Sequence, residues 1–266
     1  GLQYIKPELR EDQGEIEAAK DNKLPVLIGY GDLRGDLQVQ TNWTDGKDSI
    51  ETMARAAHEA GLEYIAITDH TKSLAMTGGA DEAQLERQID EIARINKTHE
   101  GAHLLAGAEV NIGKNGSLDI NDMMLAKLDV VGAAVHSHFN LARVEQTRRI
   151  IRAMEHPHVD IIFHLTGRLI NKRAPIDFDV DAVIDAAKRT KTMIEIDAFP
   201  DRLDIKDEYI QKCVEKGVMM TIDSDAHAKE HFGMLKYGIA QARRGWAGAK
   251  NIANTRPLKE FLKLRK

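Results

Sequence analysis

Four histidines fall at the ends of apolar runs of strand length: His70 in AITDH, His136 in AAVHS, His164 in FHLTGR and His227 in DSDAH. Carboxylates occupy matching places. Asp45 follows DLQVQ, Glu109 closes GAEV, Glu195 and Asp197 close TMIEI, and Asp223 and Asp225 close the last run. Gln38 and Gln40 alternate on the first run, so both amides face the same side at its end. Mixed imidazole and carboxylate donors without thiolate suit Zn, Mn or Fe rather than Ca. Crowded together, such groups repel or protonate one another unless cations hold them, which points to more than one metal. Metals a few ångströms apart suit phosphoester hydrolysis, since they activate water and offset charge on the leaving oxygen. Any one of these histidines is equally well explained as a satisfied polar residue at a rim. The metal reading rests on all four occurring with Glu109, Asp45 and Asp225.

Apolar runs at 36–40, 64–68, 103–110, 128–135, 159–164, 192–196 and 218–222 must do the positioning. Most are nearly continuous rather than alternating, as expected of strands buried on both faces. Helical patterns lie between most of them. In DSIETMARAAHEAG, Asp48 is placed to cap, Glu51 stands at the third helical position, apolar residues recur at 50, 53, 54 and 57, and Gly61 ends the pattern. This alternation predicts a parallel α/β fold, with a closed barrel favoured over an open sheet. No GxGxxG or GxxxxGK[ST] follows the first run, which disfavours a nucleotide-binding doubly wound sheet. In parallel barrels chemistry gathers at the carboxyl ends of the strands, and every residue named above sits at such an end.

Arg168 and Arg202 follow the fifth and sixth runs, on loops expected to overhang the mouth. A planar guanidinium there can clamp a phosphate; the plainer role is an ion pair with Asp197 or Asp201. Arg34 and Arg244 are weaker candidates. Trp43 could stack on a base or simply pack the rim. His58 and His99 lie in helical patterns, and His156 and His158 flank a proline. These four, with His138 and His231, read as non-ligands, and KRTK at 188–191 as a solvated helix end. The formal net charge of −5 argues against a surface that grips nucleic acid by charge alone, leaving room for a local basic cleft. A single cysteine, Cys213, excludes a disulfide framework and a thiolate cluster, and reads as a small buried residue. No apolar run approaches the ~20 residues of a membrane span and no secretory segment opens the chain, so the cytoplasm is the default location. Residues 1–30 are highly charged, with Pro7 and Pro25 bracketing a short helix. They read as an arm or the tail of a preceding domain, ahead of a single domain at 31–266, and the lack of an initiator Met fits a piece of a longer chain.

In order, DLQVQTNWTDG, AITDH, GAEVNI, AAVHS, FHLTGR, EIDAFPDRLD and DSDAH resemble the motifs of the PHP (polymerase and histidinol phosphatase) superfamily, over residues 31 to about 255. More narrowly, YIKPELREDQGEIEAA, GDLRGDL, GSLDI, TGRLI, PDRLD and YGIAQARRGW resemble the C-terminal PHP domain of bacterial and archaeal family X DNA polymerases. The resemblance implies a distorted (β/α)7 TIM-like barrel with three metal sites. The first would use Gln38, Gln40, Glu109 and Asp225; the second Glu109, His136 and His164; the third Asp45, His70 and His227. Glu109, Asp225 and His227 would be the catalytic residues, and Mn2+ or Zn2+ the cofactors. It further implies a DNA-repair hydrolase acting on 3′ ends, gapped or abasic DNA, as 3′-5′ exonuclease, 3′-phosphatase or apurinic-site nuclease. Residues 4–19 would be the end of a polymerase thumb, and polymerase domains of the same full-length chain would be its partners.

One departure stands out. The family pattern is His-x-His, and this chain has Gln38-Val39-Gln40. Glutamine keeps roughly the reach of histidine and offers a carbonyl oxygen, but lacks the imidazole nitrogen that Zn and Mn favour. Losing even a residue that only supports a ligand weakens metal affinity ~10–100-fold. The expectation is one or two bound metals, a weak or empty first position, and hydrolysis reduced or abolished. The competing expectations are a catalytically degenerate structural or interaction domain, and a small-molecule phosphatase of histidinol phosphate type. An amidohydrolase is disfavoured by seven strands rather than eight.

Overall fold

The computed structural model describes residues 1–98 and 100–266, so the reading of His99 lies outside the described residues. Each of the seven apolar runs forms a strand: β1 (Gly35–Val39), β2 (Tyr64–Ile67), β3 (His103–Asn111), β4 (Val130–Ala134), β5 (Ile161–Ile162), β6 (Met193–Asp197) and β7 (Met220–Asp223). They pair in parallel and in chain order. The sheet closes at a narrow seam where the end of β7 meets β1. There the Gln40 N–H donates to the Ala226 carbonyl at 2.8 Å, and the Ala226 N–H to the Gln38 carbonyl at 3.2 Å. The product is a distorted (β/α)7 barrel.

Helix α1 (Glu15–Lys20) belongs to the N-terminal arm, and α2 (Ile50–Glu59) follows β1. Then come α3 (Glu82–Thr98), α4 (Asp122–Leu125), α5 (Arg143–Met154), α6 (Val180–Thr190), α7 (Asp207–Lys216), α8 (Leu235–Arg244) and α9 (Leu258–Phe261). At α2 the cap differs from expectation. Ser49, not Asp48, accepts the Thr52 N–H, because the Asp48 carboxylate is drawn away to the Lys229 N–H at 2.9 Å. Gly61 ends this segment with φ 87°, a conformation open to a residue without Cβ.

The strands bury both faces, as their continuous apolar character requires. Ile65, Ile67, Val131, Ile162, Ile194 and Ile222 belong to the core shared with the helices. A second apolar cluster occupies the amino-terminal end of the barrel: Leu37, Tyr64, Leu105, Val130, Ile161, Phe163 and Met193, sealed by Phe261 of α9, whose ring stacks on Tyr64 at 5.5 Å. Gly132 makes room for this plug, since a Cβ there would lie 1.8 Å from the Phe163 ring. Leu9 of the arm is buried, Glu8 pairs with Arg243 at 2.7 Å, and Glu11 with Arg244 at 2.6 Å. Cys213 is fully buried, and burial pushes its thiol up to about 12. Among the described residues no helix is long and apolar enough to cross a membrane.

Candidate metal centre

Glu109, near the end of β3 and wholly buried, lies among three imidazoles. Its Oε1 is 2.7 Å from His164 Nε2 and 2.9 Å from His136 Nε2, and its Oε2 is 3.3 Å from His70 Nδ1. Burial by itself would push this carboxyl up, but His70, His136 and His164 hold it well below the usual carboxylate range. His164 acts there through its N–H dipole, because burial and then Arg202 push its own pKa down to about 4. On the far side of His70 stands Asp45, whose Oδ1 is 3.6 Å from His70 Nε2 and 3.7 Å from His227 Nε2. His227 donates through Nδ1 to the Asp225 carbonyl, 2.8 Å away. Burial opposes the charged form of His227, yet Asp225 and Asp45 raise its pKa above the ordinary value.

Two triads have ligand atoms within 4.8 Å of one another: Asp45, His70 and His227, and His70, Glu109 and His136. His164 joins the second through Glu109. His70 Nδ1, His136 Nε2 and His164 Nδ1 are buried and make no hydrogen bond. Unpaired buried polar atoms are costly, and several imidazoles around one carboxylate is an arrangement that cations relieve. The residues therefore fit divalent metals: Asp45, His70 and His227 for one ion, Glu109, His136 and His164 for another.

The glutamines behave differently from these ligands. Gln40 turns its amide nitrogen to Glu109 Oε2 at 2.9 Å, placing an N–H donor where a cation would otherwise face the carboxylate. Its Oε1 has no partner, and Gln38 is buried with neither amide atom hydrogen-bonded. Asp225 sends Oδ2 toward Arg202 Nε at 3.4 Å and Oδ1 toward His227 Nδ1 at 3.7 Å.

Backbone strain collects at this end. His164 has φ 26° and Asp225 φ 50°, both in the left-handed region that non-glycine residues avoid. Each is held from outside: the His164 N–H donates to Glu195 Oε2 at 2.6 Å, and Ala226, next to Asp225, is locked into the seam. Burial, with Asp197 and Asp223 nearby, pushes the Glu195 carboxyl well up. Asp69 fixes the loop after β1 by accepting from Thr41, Thr44 and Gln88. Behind His136, buried Gln146 and Arg149 of α5 donate to the carbonyls of Ser137, His138 and Phe139.

The two arginines take different places. Arg202 is largely buried between Asp197 and Asp225, each 3.4 Å from Nε, with Nη1 unpaired. Burial disfavours its charge, but Asp225 and Asp197 more than compensate and raise its pKa. Arg168 instead donates Nε to the Arg202 carbonyl at 2.7 Å and Nη2 to that of Leu203, so its guanidinium holds the Arg202 loop. Arg34 pairs with Glu63, and Arg244 with Glu11 and Asp207. Trp43 is half-buried against the core. His138 is exposed, and His231 accepts the His227 N–H through Nδ1 at 3.2 Å, a support that residue type alone did not reveal. Asn111 and Asp119 were also missed. Asn111 Oδ1 meets His136 Nδ1 at 2.7 Å, and Asp119 binds Asn111; their presence in GAEVNI and GSLDI was the one available signal.

The fold and site together define a parallel seven-stranded α/β barrel whose carboxyl-end mouth gathers imidazoles and carboxylates able to ligate metal. The chain belongs to the PHP domain family, whose model matches residues 36–254. It is similar to the DNA polymerase/3'-5' exonuclease PolX of Bacillus subtilis, 41% identical over 266 residues; that match takes in 99% of this chain and 46% of the relative, so the chain spans about half that relative's length. It is also similar to a "Probable phosphatase" of Acetivibrio thermocellus, 30% identical over 70% of this chain and 75% of the relative. The fold is shared with histidinol phosphate phosphatase from Lactococcus lactis, solved with zinc, L-histidinol and phosphate. There the TM-score is 0.53 at 13% identity, covering 79% of this chain and 93% of the other.

Proposed function

We propose that this chain is a metal-dependent phosphoesterase that acts on DNA 3′ ends or abasic sites during repair, with activity reduced by Gln38 and Gln40. The observation that carries this reading is Glu109 set among His70, His136 and His164 while their buried ring nitrogens stay unpaired. Mn2+ or Zn2+ would be held by Asp45, His70 and His227 and by Glu109, His136 and His164, one or two ions in all. Bound there, they would supply Lewis acidity toward a phosphoester oxygen and a more acidic water. Arg202 would hold a phosphoryl oxygen through its free Nη1, with Arg168 fixing its loop. Asp225 lies against both Arg202 and His227, and its carbonyl holds the His227 ring so that Nε2 faces Asp45 and the proposed ion. Beside His136 opens a cavity of about 400 Å3, lined by Leu74, Ile112, Leu118 and small polar residues. That lies within the ~300–1,000 Å3 of small-molecule sites and gives room for a nucleoside-sized group. The similarity to PolX supports DNA as partner, a cytoplasmic setting, and residues 1–30 as an arm joining polymerase domains to the barrel at 31–266.

A second reading, a catalytically degenerate domain that braces a polymerase, draws on the Gln40 amide that already satisfies Glu109 without a cation. Calorimetric titration with Mn2+ and Zn2+, followed by hydrolysis of 3′-phosphate and abasic oligonucleotides, separates the two. The expected result is one or two tight sites, weak hydrolysis, and recovery in Gln38→His/Gln40→His. Full metal loading of that variant with no hydrolysis of DNA would favour the bracing role, and hydrolysis of histidinol phosphate alone would favour a small-molecule phosphatase. Three tight sites of equal affinity would refute the weakened first position.

A further inference from the structure

We propose that Asn111 is a positioning residue that fixes the proton of His136 on Nδ1 and so presents Nε2 as a bare donor to a cation. The inference rests on the reading of His136 as a metal ligand, but the proton's location can be measured without metal. Asn111 Nδ2 lies 2.8 Å from Asp119 Oδ2, 3.1 Å from Thr71 Oγ1 and 3.3 Å from the Thr71 carbonyl. A carboxylate and a carbonyl can only accept, so the amide nitrogen must face them and the amide oxygen must face the other way. That oxygen meets His136 Nδ1 at 2.7 Å. It too can only accept, so Nδ1 carries the hydrogen. In a neutral imidazole the other nitrogen is then a lone pair. In the neutral ring His136 Nε2 therefore points this lone pair at the buried Glu109 Oε1, 2.9 Å away; a proton added there makes the contact that holds Glu109 low. Two electron-rich atoms held this close call for a cation or a second proton.

Asp119 makes the arrangement rigid. Its Oδ1 accepts from the Asn111 N–H at 2.9 Å and from the Thr71 hydroxyl at 2.8 Å, and its Oδ2 accepts from the Ser73 N–H at 2.9 Å. The loop after β2 is thereby tied to the end of β3, and the amide cannot flip without leaving the Asp119 carboxylate opposite its own oxygen. Gln40 shows the opposite choice: its nitrogen, not its oxygen, faces the centre and donates to Glu109 Oε2.

The experiment is 15N spectroscopy of the imidazoles in the metal-free chain, followed upward in pH until the His136 ring carries a single proton. His136 is expected to carry its proton on Nδ1. In Asn111→Leu the proton should move to Nε2, where Glu109 accepts it, and Mn2+ or Zn2+ affinity should fall ~10–100-fold. The exchange Asn111→Asp/Asp119→Asn keeps an acceptor against Nδ1 and should restore both the tautomer and the affinity. Finding the wild-type proton on Nε2 would overturn the proposal, as would an Asn111→Leu chain that keeps it on Nδ1 with unchanged affinity. If the leucine variant does not fold, the wild-type spectrum still decides. A wild-type chain that binds neither metal would sink the proposed function while leaving the tautomer to be read.

Discussion

The two ends of the barrel solve opposite problems. At the amino-terminal end Phe261, Tyr64 and Phe163 fill the interior with interlocking apolar surface. At the carboxyl end the interior holds Gln38, Gln40, Glu109, Glu195, Asp197 and Asp223, all wholly buried, and several of their polar atoms lack partners. One end is finished by packing. The other tolerates groups that a stability-optimised core would not contain, and it can do so because the first end is so complete.

The largest expected effect tests the apolar end. Phe261→Ala should cost about 3–5 kcal/mol in denaturant unfolding. Metal affinity of the molecules that remain folded should be unchanged; a large drop would mean the ends are not independent. Next comes Glu109→Gln, which should weaken Mn2+ or Zn2+ binding by about 100-fold or more in calorimetry. The metal-free chain should lose stability as well, because the change takes from His70, His136 and His164 the carboxylate they hold in its charged form. Gln38→Leu sharpens the contrast through its sign: deleting two unpaired buried polar atoms should raise metal-free stability by about 1 kcal/mol. A loss of that size would show that Gln38 has an ordered partner.

The smallest effect belongs to the arm, at neither end. Glu8 is held below its ordinary value of 4.5 chiefly by its hydrogen bond to Arg243. The unfolded chain therefore takes up this proton first as pH falls. The stability it contributes is complete above 4.5 and is lost as pH drops through the lower folded value. Glu8→Gln should flatten the acid limb of a stability-against-pH curve while leaving metal binding at neutral pH alone.

Strand positions were legible because buried parallel strands write themselves as continuous apolar runs, and the ligand types at their ends showed where a mouth would form. What escaped was whatever depends on distant partners. The Asp48 cap failed because Lys229, far along the chain, claims that carboxylate. Arg168 looked like a phosphate ligand by type and loop, yet its guanidinium is spent on carbonyls near Arg202. The run at 159–164 shrank to the two residues of β5, with the chain leaving strand geometry at its carboxyl end where His164 takes φ 26°. Arg149, buried and donating to the Ser137 carbonyl, could not be foreseen in a helix that reads as amphipathic.

The seam has a thermodynamic consequence. Asp45 follows the first stave of the cask and His227 follows the last, and their facing atoms are only 3.7 Å apart across the join. An ion gripping both would act as a hoop, so that filling the site and keeping the ring shut become a single linked equilibrium. At a hundred times its dissociation constant such an ion adds about 2.7 kcal/mol against opening. Amide exchange at Gln40 and Ala226, whose hydrogen bonds are the join itself, should slow in proportion when zinc is added.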